Sequence, residues 1–381
     1  MKSKKAQMEV TFNWVYVLIA GTVILLFFAG IVMKQKDVAE KNLASDLLRV
    51  MQSIFTGAGV SEKTKNIIDL SGLAEYTFYF DCNEGISQFG IKDQSSKITN
   101  AFQPLFSPRE IKSPELITWS LPYQLPYKVT DLLMVTSMNT EYFLLGDDVY
   151  FTSELGNVSR EFNLGHIYGI EDYNLIDPGD NYQVRVVDFN LGIVREGGLI
   201  PDKLISLDDD KVTAVVFSGV NQADFFQKQA NKWKKLNRNP IRMISLGRER
   251  DAAKYAAIFA GDDQIYQCNM QKAFKRLSFV TEVYAGETIK DGREGGKLKE
   301  LIDYYENNYM GSSNTKASCL GNLRDYGENG MRNALMQYYN KVKMCVSTVS
   351  VSASECFDLV SLAGKVRDVN ENLKRDCVTL Y

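Results

Sequence analysis

Trp14-Val-Tyr-Val-Leu-Ile-Ala-Gly-Thr-Val-Ile-Leu-Leu-Phe-Phe-Ala-Gly-Ile-Val-Met33 runs 20 residues without a charged side chain. As a helix it is about 30 Å long, the thickness of a bilayer's hydrocarbon core. Trp14 and Tyr16 stand at one end, where amphipathic rings favour the interface, and Lys34 and Lys36 close the other. A core helix of a soluble protein seldom runs this long uncharged. A secretory signal has a shorter apolar region that ends in a small-x-small cleavage site. The stretch therefore reads as a single transmembrane helix, with the lipid bilayer as partner.

The flanking charges set the expected orientation. Lys2, Lys4 and Lys5 precede the span, together with the free amino terminus, and Lys34, Lys36 and Lys41 follow it. Positive charge favours the cytoplasmic side, so the short tail is expected inside and the body outside. Past the span, no Gly or Pro interrupts the chain from Ile31 to Thr56. Leu43, Leu47, Leu48, Met51, Ile54 and Phe55 recur at helical spacing and form one apolar stripe. The membrane helix is expected to continue as an amphipathic one laid on the body, and to end at Gly57 and Gly59.

A basic leader, Lys4-Lys5-Ala6-Gln7-Met8-Glu9, ahead of a helix that is apolar first and amphipathic later resembles the type IV pilin superfamily. Lys-Lys-Ala before Gln is similar to the short archaeal leaders cut by a prepilin-type peptidase. The resemblance implies cleavage between Ala6 and Gln7, and it covers about the first 55 residues. Counting from Gln7, Glu9 is third and Thr11 is fifth, the place where pilin-like chains carry a glutamate.

The remainder suffices for two modest domains or one large one. Its make-up is that of a folded protein, with 20 Phe and 20 Tyr to furnish a core. Tyr76–Cys82 and Ile86–Ile91 read as a hairpin turning at Asn83-Glu84-Gly85. Residues 101–128 hold five of the eight prolines, which predicts an extended crossing or linker. Strand-like runs follow at 132–136, 142–145, 149–152 and 182–189. Val212–Phe217 reads as a buried strand. Asn221 would then cap a helix with Phe226, Ala230 and Trp233 on its inner face, and Ile241–Leu246 would be a second strand. Candidate helices cover 251–260, 263–288, 296–309, 329–344 and 353–375.

The fold class is thus α+β or α/β: a long N-terminal helix, a mixed-sheet body with a strand–helix–strand unit, and a helical C-terminal region. The chain divides into a leader (1–13), a span (14–33), an amphipathic extension (34–58), a hairpin and Pro-rich segment (59–128), an α/β body (129–250) and a helical, Cys-containing region (251–381).

Chemistry-bearing motifs are sparse. The single histidine, His166, disfavours zinc sites and imidazole relays, and no catalytic, cofactor-binding or metal-binding constellation is assigned. Cys82, Cys268, Cys319, Cys345, Cys356 and Cys377 make an even set with no Cys-x-x-Cys pair, which suits disulfides in an oxidising compartment. Cys82, remote from the rest, is the one expected to stay unpaired. Lys228, Lys232, Lys235 and Arg238 would lie on the outer face of the helix after Asn221, as a solvated face or a patch for lipid headgroups or a polyanion. A formal charge of −3 gives no reason to expect nucleic acid. Asp147-Asp148 and Asp208-Asp209-Asp210 match no calcium loop and read as acidic turns, and Asn157-Val158-Ser159 is a glycosylation acceptor triplet.

The function expected from these features is a non-enzymatic cell-envelope protein, pilin-like at its N-terminus. It would act as a structural or binding module, with other envelope proteins or further copies of itself as partners. The alternatives are a cytoplasm-facing accessory domain of a membrane complex, and an anchored enzyme or ligand-binding domain using the strand ends near Gly219. Whichever holds, full-length protein should stay in the membrane pellet during alkaline carbonate extraction and leave it only with detergent. Release by carbonate alone would remove the anchor.

Overall fold

The computed structural model describes residues 4–58, 65–94, 96–146, 163–167, 170–180, 183–189, 191–219, 221–246, 251–286, 296–309, 315–324, 327, 330–347, 356–375 and 377–381. The first element is one unbroken helix, α1 (Lys4–Ala58), of 55 residues and about 80 Å. Its segment Leu18–Gln35 has a mean hydropathy of 2.0 and none of it is buried, so the helix is long and apolar enough to cross a membrane. Further on, Ala44, Leu48, Met51 and Phe55 are buried at spacings of four, three and four, with Leu47 and Ile54 packed beside them. The two halves of one helix thus meet different surroundings, as the change from all-round apolarity to a single stripe requires.

The strands are β1 (Lys65–Asp69), β2 (Phe78–Asn83), β3 (Ile86–Ile91), β4 (Lys97–Asn100), β5 (Leu105–Phe106), β6 (Glu110–Ile111), β7 (Glu115–Gln124), β8 (Lys128–Ser137) and β9 (Thr140–Leu145). They continue with β10 (Asn163–Ile167), β11 (Gln183–Asp188), β12 (Val212–Ser218), β13 (Gln222–Gln229), β14 (Lys232–Lys235) and β15 (Ile241–Arg242). Three sheets result: β1-β7-β8-β5, β4-β3-β2-β6, and the mixed sheet β10-β9-β11-β12-β13-β14, with β15 paired to β13. In the mixed sheet β9, β10, β11 and β12 are parallel, whereas β13 returns antiparallel to β12. The stripe of α1 sits in a cluster with Ile68 of β1, Phe78 and Phe80 of β2, Phe89 of β3, Leu116 of β7 and Val135 of β8. The Phe55 ring meets Phe89 edge-on at 5.1 Å.

The C-terminal region is helical: α2 (Ala252–Phe259), α3 (Asp263–Ala285), α4 (Gly296–Tyr309), α5 (Thr315–Arg324), α6 (Met331–Val346) and α7 (Leu359–Leu373). Asp251 caps α2 by accepting from the N–H groups of Ala253 and Lys254, and Asp262 caps α3 through Ile265. Gly286, at φ 75°, ends α3 in a conformation that glycine adopts without strain. These helices pack on β7, β8 and the mixed sheet in one apolar cluster that runs from Cys82 to Leu380.

Three expectations are corrected. The Pro-rich stretch is not a linker: β7 is ten residues of mostly buried strand. Its prolines sit where no N–H is needed. Pro114 precedes the strand, and Pro126, after a cis Leu125–Pro126 bond, lies in the turn to β8. Pro122 lies beyond the reach of β1, which pairs only Glu115–Trp119 of β7. The helix after Asn221 is instead the β13–β14 hairpin. Asn221, Ala230 and Asn231 adopt positive φ, which breaks any helix there. Phe225 and Phe226 face different apolar clusters, because β13 is covered on both sides. Lastly α5, absent from the expected helices, forms over Thr315–Arg324. The strand expected at 149–152, Asp147-Asp148 and the triplet at Asn157 lie outside the described residues.

Replacing Phe55 with Ala should cost about 3–5 kcal/mol, the range for deleting a buried aromatic ring. Denaturant unfolding of the detergent-solubilised protein measures it. A change below about 1 kcal/mol would show that the stripe is not docked as described.

Candidate functional site

A cavity of about 180 Å³ opens at the amino ends of the parallel strands. Thr140 and Tyr142 of β9, Gln183 and Arg185 of β11 and Thr213 of β12 line one wall. The end of α2 with Gly261 and Asp262, the segment Pro108–Glu110, Asp210 and Lys211, and Gln227 of β13 complete it. Gly219, near which a strand-end site was expected, lies at the other end, exposed in the β12–β13 turn.

Arg185 organises the floor. Its guanidinium is buried and donates to the carbonyl oxygens of Ile258 (3.0 Å), Gly261 (3.1 Å) and Ala257 (3.0 Å). These are the last carbonyls of α2 and the turn after it, which lack helical partners and carry the negative end of the helix dipole. Burial lowers the Arg185 pKa to about 10 against the opposing pull of Tyr142 and Asp262. Burial also pushes the Tyr142 phenol up, although its hydroxyl is bonded to Thr136 at 2.7 Å.

The rim is a ring of opposed charges. Arg109 donates to Asp262, to Asp81 (3.1 Å) and to Gln264 (2.7 Å). Glu110 accepts from Lys92 (2.6 Å) and Lys211 (3.2 Å), and Lys211 also pairs with Asp210 at 3.1 Å. Burial would raise the Glu110 carboxyl, but the two lysines outweigh it and hold it below its ordinary range. Gln183 is different. Its Nε2 donates to the Glu110 carbonyl at 2.5 Å, which fixes the amide, and its buried Oε1 has no partner among the described residues. Among the described residues no group of three or more His, Cys, Asp or Glu could hold a metal ion.

The basic residues named from sequence do not share a helix face. Lys228 of β13 is buried, its Nζ bonded to the carbonyls of Ile205 (2.6 Å) and Leu207 and 3.6 Å from Asp209. Lys235 is half-buried and paired with Asp224 at 2.8 Å. Lys232 and Arg238 stand exposed. His166 falls within β10.

All six cysteines are paired: Cys82–Cys268, Cys319–Cys377 and Cys345–Cys356. The expectation of a lone Cys82 is corrected, because the hairpin carrying it packs directly on α3. One turn after Cys268, Lys272 is buried and donates to Ser87 Oγ and to the carbonyls of Asn100 (2.8 Å) and Gln103 (3.3 Å). Burial lowers its pKa to about 7, helped by Lys275 and Arg276. Through these bonds the amine ties α3 to the β2–β3 hairpin and to the segment Asn100–Gln103.

The cavity was not read from sequence. One signal was available: the charged Arg185 between the valines of the strand-like run at 182–189. Comparison of the chain with protein-family models, with curated proteins and with solved structures finds no match.

Lys228→Glu should destabilise the protein by about 3–5 kcal/mol, since it replaces a buried ammonium held by two carbonyls with a carboxylate that faces those carbonyls and Asp209 without a partner. Lys232→Glu should change stability by no more than about 0.5 kcal/mol. Denaturant melts of both variants decide. Equal, small effects would place Lys228 on a solvated face.

Proposed function

We propose that the chain is a single-pass membrane protein whose body stands outside the cytoplasm. There it serves as a non-enzymatic structural or binding module of the cell envelope, with a pilin-like N-terminal helix. The observation that carries this reading is the pairing of all six cysteines in the body joined to that helix. Such bonds persist in oxidising compartments and are reduced in most cytoplasms. Each typically stabilises a fold by about 2–4 kcal/mol, a gain that reducing surroundings would remove. The continuity of α1 supports an anchor over a cleaved signal. A cut near the end of the apolar segment would divide the helix whose next turns are docked on the body. Basic residues on the short tail favour that end inside. The pilin-like leader adds cleavage after Ala6, which would remove Lys2, Lys4 and Lys5 and leave Gln7 first.

The test is to trap thiols during lysis of native cells, denature, and weigh the intact protein before and after reduction. The expected result is no blocked cysteine before reduction, six afterwards, and a mass that begins at Gln7. Six free thiols would overturn the outside placement in favour of a cytoplasm-facing accessory domain. A mass that includes residues 1–6 would overturn leader processing and leave a plain signal anchor.

A further inference from the structure

The cavity at the amino ends of the parallel strands has two features that its own structure does not use. Gln183 is buried, and its amide orientation is fixed because Nε2 donates to the Glu110 carbonyl. Turning the amide over would set Oε1 against that carbonyl, oxygen to oxygen. The partnerless atom is therefore an acceptor, and a buried acceptor without a donor costs about 1–3 kcal/mol. The second feature is Arg185. A guanidinium has five N–H hydrogens, and three are spent on the carbonyls that end α2. Two remain, on a cation whose side-chain hydrogen bonds all go to neutral oxygens.

The rest of the lining narrows the ligand. Arg109 and Lys211 are already engaged with Asp262, Glu110 and Asp210. With Arg185 counted, three cations face three carboxylates, so the cavity does not favour a ligand of large net charge. Gln183 and Arg185 lie two residues apart on the same side of β11, about 6.6 Å along the strand. A fragment that offers a carboxylate to the guanidinium and an N–H to the amide oxygen spans that gap with two hydrogen bonds of about 2.9 Å. The volume suits a small fragment, since cavities of about 150 Å³ accept a benzene ring.

We propose that this cavity binds α-amino carboxylates: a carboxylate bearing an N–H on its α carbon, whether a free amino acid or the carboxyl end of a peptide. The carboxylate meets Arg185 and completes its charge. The N–H donates to Gln183 Oε1. Binding at this site gives the proposed module its ligand class and so rests on that reading, but not on the side of the membrane the body occupies. Thiol counting and ligand binding can therefore fail separately.

Calorimetry on the full chain in detergent, with four probes, provides the test. L-alanine and N-acetyl-L-alanine carry both groups, L-alaninamide lacks the carboxylate, and propionate lacks the N–H. Binding of L-alanine, of N-acetyl-L-alanine or of both is expected, and whichever binds identifies a free amino acid or a peptide end as the source. Alaninamide and propionate should each bind at least about tenfold more weakly, and Gln183→Leu should weaken the binding acid by about tenfold. Alaninamide or propionate equal to the best acid, or no binding by either acid, would overturn the proposal. So would full affinity in a folded Gln183→Leu protein. If that variant fails to fold, the four probes on the unaltered chain decide alone.

Discussion

Helix α3 is bound to the β2–β3 hairpin by a buried seam that joins chain segments 186 residues apart. Cys268 is bonded to Cys82, Asn269 accepts from Ser87 (2.9 Å) and from the Leu105 N–H (2.9 Å), and Lys272 reaches Ser87, Asn100 and Gln103. Closing a loop of that length restricts the unfolded chain by about 5 kcal/mol in the chain-entropy picture. The buried lysine opposes part of the gain, because burial favours its neutral form, and three oxygen acceptors in place of water offset that cost. The seam decides where the other parts can go. Along β2, Phe78 and Phe80 belong to the cluster that receives α1, whereas Cys82, two residues on, belongs to the main core. One strand therefore transmits the placement of the C-terminal helices to the docking site of the N-terminal one.

The two halves of α1 place opposite demands on solvent. Leu25, Leu26, Phe27 and Phe28 are each more than half exposed, a continuous apolar band that the described residues leave uncovered. The stripe from Ala44 to Phe55 is covered by strands of two sheets. Gln35 and Ala44 are nine helical steps apart, about 13 Å. On the proposed topology the body thus stands close to the headgroups on a stiff stem.

Legibility in the sequence followed the range of the forces involved. The hairpin at 76–91 and the helices α2, α3, α4 and α6 rest on local periodicity and caps, and they appear close to their expected bounds, whereas α5, with little apolar periodicity, does not show in the sequence. The segment 222–235 fails that approach because Phe226, Ala230 and Trp233 satisfy helical spacing, whereas Ala230 is exposed at the hairpin turn and the buried set, Ala223, Phe225, Phe226, Lys228 and Trp233, requires a strand enclosed on both sides. The prolines of 101–128 misled for a related reason: whether a missing N–H matters depends on a neighbouring strand's length. The cavity was least accessible. Its walls come from segments near residues 109, 141, 184, 212, 227 and 260, and Gln183 is unremarkable until burial and the Glu110 carbonyl fix its amide and turn Oε1 away from that bond.

The connectivity of the disulfides has a consequence for biogenesis. A chain exported in order from its N-terminus presents Cys82 first, and the next cysteine is its partner, Cys268. The four that follow pair among themselves, Cys345 with Cys356 inside the span of Cys319 with Cys377. If oxidation keeps pace with emergence, the first bond formed between the first two thiols is the native one, and no earlier cysteine competes for either. On the proposed topology, arrival order would therefore protect the seam on which the rest of the body is assembled, and the nested pair would be the place where shuffling has to be corrected.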